Sequence, residues 1–583
     1  MNQSSASPKQ IDRKQVALFA FAGALLLWFA QPPVSAWMIG FVALMPWLAI
    51  ADSNCELSKR DYQIIWAASL CFWLFSLQGL RHAHVAIYLG WFALSAYLSV
   101  YSVLFVWVCR RMLGYRRANS GLRIPLWLAA PVAWVGLECI RNYFATGISA
   151  CMLGHTMADV PVMIQIADLF GTYGVSFVLV AANVAVFELI RFFLRPKKTG
   201  SETTPRGDVV VAVVVAAGLL VATFFYGKHR LSEDFFGDNL ATFALIQRTE
   251  KVEYVQDRTR EAEIFRSYAR QSMTAVTRAD HRIDAVVWPE SMFTGGSAWM
   301  TADEDFVVPE QFVESKAEFL QGVQDYQRSY LYRAVDLQNA LAAGQPGRHK
   351  PHIIGGCGVV RYHSRPSIYS GIVQIDSAGR MANWYGKMHL VMLGEYFPIV
   401  GSIPGLKGMI PGIDNGDGPT LMHVGDTKVS PNICIETAVE RVTVNQVGAL
   451  HQSGTSPDVV VTVTNDGWFD DSSVIDHHLR CAQLVAVGCR RPILSSANNG
   501  PTAWIDSRGA IIHRLKTGTA GQIIATPKQD ERISLYTRIG DWPARLPGLI
   551  CAILILGGVK RRWWDQRRSG AADPDGPLGT VET

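Results

Sequence analysis

The sequence predicts a multi-span α-helical membrane bundle of about eight helices, interrupted by an inserted α/β domain. Two observations carry this. The chain of 583 residues is 49% hydrophobic, too long for one ordinary domain and too apolar for a wholly soluble one. The apolar residues also concentrate in 16–226 and 546–559, while 228–540 has the composition of a globular protein.

Segments able to cross roughly 30 Å of hydrocarbon fall at about 16–31, 34–51, 63–80, 85–108, 125–143, 170–194 and 209–226, and then at 546–559, which is short but has Lys and Arg behind it. The expected organisation is a tail over 1–15, seven membrane helices over 16–226, the inserted domain over 228–540, a last helix over 546–559 and a tail over 560–583. The first span does not read as a cleavable signal. No small-residue cleavage site follows Trp28-Phe29-Ala30-Gln31-Pro32-Pro33, and a second span begins at once.

Orientation follows from Lys and Arg, which are retained in the cytoplasm. Lys9, Arg13 and Lys14, then Lys59 and Arg60, then Arg110, Arg111, Arg116, Arg117 and Arg123, then Arg195, Lys197, Lys198 and Arg206, and last Lys560, Arg561, Arg562, Arg567 and Arg568 occupy alternate segments, against Arg81 alone in the opposite short loops. Both tails are therefore expected inside and the 228–540 domain outside, on the periplasmic side of a bacterial inner membrane. These nineteen basic residues account for the net charge of +5, so the basicity calls for no nucleic-acid partner. The ten cysteines show no CxxC and no metal-type Cys/His spacing, so neither a zinc site nor a disulfide framework is expected. Among those in the outer domain, Cys357, Cys434, Cys481 and Cys489, a thiol kept free in an oxidising compartment calls for a function.

Inside 240–525, short Val/Ile-rich runs recur at 242–247, 283–288, 353–360, 372–375, 429–434, 459–464, 493–497 and 523–525, separated by helical patterns at about 255–278, 310–343 and 472–488. This is the pattern of an α/β sandwich. The polar stretch 327–350, ending in Gly344-Gln345-Pro346-Gly347, reads as a surface insertion, and Asp414-Asn415-Gly416-Asp417-Gly418 as a plain turn, since it lacks the spacing and distal Glu of a calcium loop.

Three motifs stand at or just past strand ends: Trp288-Pro289-Glu290, Tyr385-Gly386-Lys387-Met388-His389-Leu390, and Asn432-Ile433-Cys434-Ile435-Glu436. Singly, Glu290 reads as a helix cap, Lys387 as a solvated charge and Cys434 as a small buried hydrophobe. Together they supply what covalent acyl transfer needs. A thiol requires a base or a positive neighbour, a carboxylate can remove its proton, and an ammonium can stabilise thiolate and oxyanion.

The order W-P-E, then G-K-x-H-L with G-E-Y-x-P, then I-C-x-E, resembles the nitrilase superfamily, and the match continues through Thr464-Asn465-Asp466-Gly467-Trp468-Phe469 and from Arg491-Pro492 to Ala497-Asn498-Asn499-Gly500. Within it the chain is most similar to the apolipoprotein N-acyltransferases. Trp134-Val135, Glu138, Arg141 and Thr146-Gly147 on the fifth span resemble that branch's membrane part. The resemblance implies an α-β-β-α sandwich, with Cys434 as nucleophile, Glu290 as general base and Lys387 as oxyanion stabiliser. It assigns Glu395, Glu436 and Tyr396 to supporting or substrate-binding positions: the two carboxylates orient Lys387 and hold the acceptor amine. It further implies ping-pong transfer of an acyl chain from a phospholipid, through a thioester, to the N-terminal α-amine of a diacylglyceryl-cysteine lipoprotein. No cofactor and no metal is expected, and the protein is expected to act as a monomer.

Glu138 and Arg141 share a helix face at i, i+3 near the outer end of their span, with Asp168 near the outer start of the next. They read either as the polar floor of a lipid cleft or as an ion pair tying helix to domain. Adjacent His477 and His478, with Arg480, point different ways on a helix, which favours capping or hydrogen bonding over metal binding. The chain departs from the family at Ile435, at Met392-Leu393 and at Gln247-Arg248-Thr249-Glu250. One alternative is a membrane-anchored nitrilase-type amidase using the same triad; a non-catalytic scaffold is another.

Overall fold

The computed structural model describes residues 12–53, 55–82, 87–114, 124–194, 206–233, 236–252, 257–295, 297–392, 394–396 and 412–570. Leu393 and the basic residues Lys9, Arg116, Arg117, Arg123, Arg195, Lys197 and Lys198 lie outside them. The N-terminal half folds as α1 (Arg13–Ala30), α2 (Met45–Ala51), α3 (Lys59–Ser76), α4 (Ile87–Met112), α5 (Leu126–Tyr143), α6 (Pro161–Ile164), α7 (Ala167–Leu194) and α8 (Arg206–Ser232). Among the described residues, Arg13–Ala30, Ile87–Met112, Ala167–Leu194 and Gly207–Ser232 are long and apolar enough to cross a membrane. The helix expected over 34–51 is not continuous: a 3-10 turn at Trp37–Phe41 precedes a seven-residue α2 with proline in its first turn. Pro46 has no N–H to donate and a fixed φ, so it opens a helix rather than continuing one.

The second half begins with β1 (Phe236–Asn239), β2 (Phe243–Gln247), α9 (Arg258–Arg278), β3 (Ala285–Trp288), β4 (Trp299–Ala302), α10 (Lys316–Ala343), β5 (His352–Tyr362), β6 (Pro366–Ile375) and β7 (Met381–Gly386). It continues through β8 (Met422–Val424), β9 (Thr427–Ile433), α11 (Ile435–Ala438), α12 (Glu440–Gln452), β10 (Val459–Asn465), α13 (Ser473–Cys489) and β11 (Ile493–Asn498). It closes with β12 (Ala503–Ile505), β13 (Ile511–Arg514), β14 (Gly521–Ala525), β15 (Lys528–Asp530), α14 (Leu535–Ile539) and α15 (Trp542–Gly570).

One sheet runs β14-β2-β3-β5-β6-β7 with β4 on β5, and a second runs β13-β12-β11-β10-β9-β8. Phe243, Leu245 and Val287 of the first share a core with Ile433, Val461 and Leu494 of the second, so the sheets pack face to face. The far face of the first is covered by α9 and α10 through Tyr268 and Leu337, and that of the second by α12 and α13 through Val447 and Val485. Central strands covered on both sides are rich in apolar residues, which is why β3 reads as an unbroken run and β10 as one Val-rich over Val459–Val463.

The stretch expected as a surface insertion is instead the second half of α10 and its exit. Tyr330, Ala334, Leu337 and Leu341 recur at helical spacing and are buried against the sheet. The helix is capped at its start by Ser315 and Glu318 in a reciprocal box.

Candidate active site

Three connections converge where the two sheets meet. Glu290 follows β3, Lys387 follows β7, and Cys434 sits in the turn from β9 to α11. Cys434 has φ 48° and ψ −111°, a conformation costing an L-residue roughly 1–3 kcal/mol.

Lys387 is 1% exposed, with its Nζ 2.6 Å from Glu395 Oε1 and 3.4 Å from Glu290 Oε1. Burial alone would lower its pKa, but the two carboxylates outweigh that and raise it, so it stays an ammonium. Glu395 is itself held by the Val391 N–H at 2.7 Å, and Glu290 accepts from the Ser370 hydroxyl at 3.1 Å. Gly356 passes beneath Glu290 so closely that a Cβ there would meet its Cα at 2.5 Å.

Glu436 is fully buried and is held by backbone N–H groups and one hydroxyl. Its Oε1 accepts from Met388 N–H at 2.6 Å and His389 N–H at 3.2 Å, its Oε2 from Ile433 N–H at 2.7 Å, and both oxygens lie 2.8 Å from the Tyr385 hydroxyl. Burial pushes it up to about 7 while these donors hold it down. Its oxygens clamp the lysine loop to the cysteine turn. Tyr396 is partly buried and bridged through its backbone to Met392.

Several supports of the site are not visible in the sequence. The turn at 414–418 braces it: Gly416 N–H donates to Lys387 O at 2.8 Å, and a Cβ on Gly416 would meet Gly386 O at 2.0 Å. Its only sequence signal is the density of Gly and Asp. Ser370 and Tyr385 carry none. His478, on α13, reaches the Cys434 carbonyl at 3.0 Å. Gln247, at a point of departure from the family, is structural, bonding to Lys516 O, Thr519 O and Thr502 N–H.

Burial pushes the Cys434 thiol up to about 12, with Glu290 adding to the rise and Lys387 opposing it. At neutral pH it is therefore a thiol rather than a thiolate. Alkylation of the resting protein by iodoacetamide should accelerate about tenfold per pH unit from pH 7 to 10, because the thiolate fraction grows so below the pKa. A plateau already at pH 8 would show a preformed thiolate instead.

The α12–α13 side of the domain rests on the helical bundle through a buried polar joint. His155 Nε2 lies 2.5 Å from Glu440 Oε1, Thr172 donates to Glu440 Oε2 at 2.6 Å, and Arg490 pairs with Asp168 at 2.5 Å. Asp168 also accepts from Arg230 and Tyr226; it is a tie between helix and domain. His155, Glu440 and Cys481 come within 4.8 Å of one another. His155 Nδ1, however, accepts from the Met152 N–H at 3.2 Å, so Nε2 carries the proton given to Glu440, and the ring has no free lone pair for a metal ion. Glu138 Oε1 accepts from Trp134 Nε1 and Leu153 N–H, each at 2.8 Å. Its Oε2, with Nε and Nη2 of Arg141, is buried without a hydrogen-bond partner among the described residues, and the Arg141 guanidinium lies over the Trp73 ring.

Residues 23–185 match the family described as apolipoprotein N-acyltransferase N-terminal domain, and residues 255–535 match carbon-nitrogen hydrolase. An apolipoprotein N-acyltransferase of Rhodopirellula baltica is 47% identical over 565 residues, covering 94% of this chain and 97% of that one. One of Geobacter metallireducens is 26% identical, covering 91% and 92%. Among solved structures, an amidase from Nesterenkonia sp. is similar at 14% identity and TM-score 0.33, covering 52% of this chain and 96% of the other.

Proposed function

The chain belongs to the apolipoprotein N-acyltransferase family, and from that premise we propose that Cys434 is the nucleophile, Glu290 the general base and Lys387 the oxyanion donor of its acyl transfer. The observation that carries this is the buried ammonium of Lys387, gripped by Glu290 and Glu395, next to a thiol on a strained turn. Cys434 Sγ attacks the acyl-ester carbonyl of a phospholipid while Glu290 takes the thiol proton. The oxyanion that forms faces Lys387 Nζ. Collapse breaks the ester C–O bond, Glu290 returns the proton to the departing lysophospholipid oxygen, and a thioester remains. The N-terminal α-amine of a diacylglyceryl-cysteine lipoprotein then attacks the thioester; Glu290 takes the amine proton and gives it to sulfur as the amide forms.

Glu395 keeps Lys387 charged and aimed. Glu436 acts through the backbone, fixing the lysine loop against the nucleophile turn, and Tyr396, beside Glu395 and bridged to Met392, lines the substrate side of that loop. Arg141 is the membrane-side partner for the donor: a buried guanidinium with unpaired N–H groups calls for an anion, and a lipid phosphate supplies one. Arg141→Gln should raise the donor KM several-fold with little change in kcat, as expected for an interaction made equally in ground and transition states. An unchanged donor KM would return Arg141 to a structural role.

The inner two sheets with their flanking helices are read as the α-β-β-α sandwich, held on about eight membrane segments, the second of them the broken 34–51 stretch, with both tails inside and the catalytic domain periplasmic at the inner membrane. The distribution of Lys and Arg supports this orientation. Labelling of an engineered domain cysteine by a membrane-impermeant maleimide in intact spheroplasts tests it. A monomer suffices, since every proposed active-site group comes from one chain, and light scattering in detergent checks this.

Reconstituted protein given phospholipid and a diacylglyceryl-cysteine peptide should release one lysophospholipid per N-acylated peptide. Ammonia released from a small amide without lipid, and no peptide acylation, would favour the amidase reading.

A further inference from the structure

The Cys434 turn needs something to hold it. Its φ of 48° and ψ of −111° fall outside the regions an L-residue adopts freely, so the surrounding contacts must over-determine the geometry. On the entering side, Cys434 N–H donates to Val463 O at 2.9 Å. On the leaving side, the Cys434 carbonyl accepts from Thr437 N–H at 3.2 Å, within the same turn, and lies 3.0 Å from His478 Nε2.

The histidine is the one of these partners that comes from a separate packed helix by its side chain. A carbonyl oxygen only accepts, so Nε2 carries the proton. The other ring nitrogen, Nδ1, lies 3.8 Å from Asp466 Oδ1, and Asp466 accepts from the Thr464 hydroxyl at 3.2 Å. Between the turn and α13 lies a small recess lined by Thr437, Thr462, Thr464, Asp466 and His478. Packing is thus incomplete on this side, and the imidazole spans the gap as a strut.

We propose that His478 is a positioning residue for acyl transfer: by holding the Cys434 carbonyl it fixes the peptide plane that follows the nucleophile. This rests on the reading of Cys434 as the nucleophile. The Cys434–Ile435 bond is not among the cis peptides of the chain, and in a trans peptide the C=O and N–H point in opposite directions. Tying the oxygen to His478 therefore fixes the Ile435 N–H on the opposite side of the plane, and, with the Cys434 N–H held by Val463 O, it pins the residue on both sides so that its Cβ and thiol keep their place. Without the strut the turn can relax toward ordinary backbone angles, and the sulfur loses its line of attack.

The test uses the full-length protein in phospholipid-containing micelles with His478→Ala and His478→Gln, the second keeping an N–H donor of similar reach. The rate of acyl-adduct formation on the Cys434 peptide is measured in a single turnover, with kcat and KM for the acceptor and a thermal melt. Displacement of a reacting atom by about 1 Å costs roughly 100-fold, so His478→Ala should acylate about 100-fold more slowly with acceptor KM and melting temperature near wild type. His478→Gln should recover most of the rate. Should the alanine protein not purify folded, His478→Leu, which fills the space without a donor, takes its place. Wild-type acylation by the donor-less variant, or no advantage of Gln over Ala, would overturn the proposal. Absence of an adduct on Cys434 in the wild type would instead bring down the nucleophile reading and this inference with it.

Discussion

Lys387→Met is expected to abolish measurable transfer and to destabilise the catalytic domain at the same time. The ammonium is buried between Glu290 and Glu395, 3.4 and 2.6 Å from their oxygens. Removing one partner from such a group leaves uncompensated buried charge, at a cost of about 3–5 kcal/mol, and loss of an oxyanion donor costs about 10²–10³ in rate. The sign with pH follows from which charges remain. Without the ammonium, the facing carboxylates bind a proton more tightly folded than unfolded, so the variant should be closest to wild type in acid and lose stability as pH rises. Melts at pH 5 and pH 8 check this. Adding Glu395→Gln should recover stability without recovering activity; recovery of activity as well would show that Lys387 is only a structural counter-ion.

Glu290→Gln should separate the two tasks given to Glu290. The amide keeps an oxygen for the Ser370 hydroxyl and for Lys387, so the fold should hold. The base is gone, and general-base catalysis typically contributes 10²–10⁴-fold, so acylation should slow by about that factor. The negative charge that adds to the rise of the Cys434 pKa is gone too. The variant's thiol should consequently react faster with iodoacetamide at pH 8 while transferring acyl groups more slowly. Parallel loss of both reactivities would mean that the site had collapsed, and parallel retention would remove Glu290 from the mechanism.

The site is legible in the sequence where chemistry and fold make the same demand. β3, covered on both faces, announces itself as an apolar run ending just before Glu290, and the motifs W-P-E, G-K-x-H-L and I-C-x-E together point to the three candidate side chains. The supports are not legible, because they act through backbone geometry. The family resemblance gives Glu395 and Glu436 together the work of orienting Lys387 and holding the acceptor amine, and says nothing of the one hydroxyl and three backbone N–H groups that the oxygens of Glu436 receive. Gly416 is required by a close approach to Gly386, which no local pattern encodes. β7 leads into Lys387 yet reads Met-Ala-Asn-Trp-Tyr-Gly, with no period of two to mark it as a strand. The broken span over 34–51 is hidden for a different reason: hydropathy counts apolar residues and is blind to the proline that decides where a helix can start.

The most direct test is the mass of the Cys434 peptide after the purified protein is incubated with phospholipid and no acceptor. If Cys434 carries the acyl group, that peptide gains the mass of one acyl chain, loses it when a diacylglyceryl-cysteine peptide is added, and gains nothing in Cys434→Ala. An acyl adduct on another residue, or full transfer by Cys434→Ala, would contradict a Cys434 thioester.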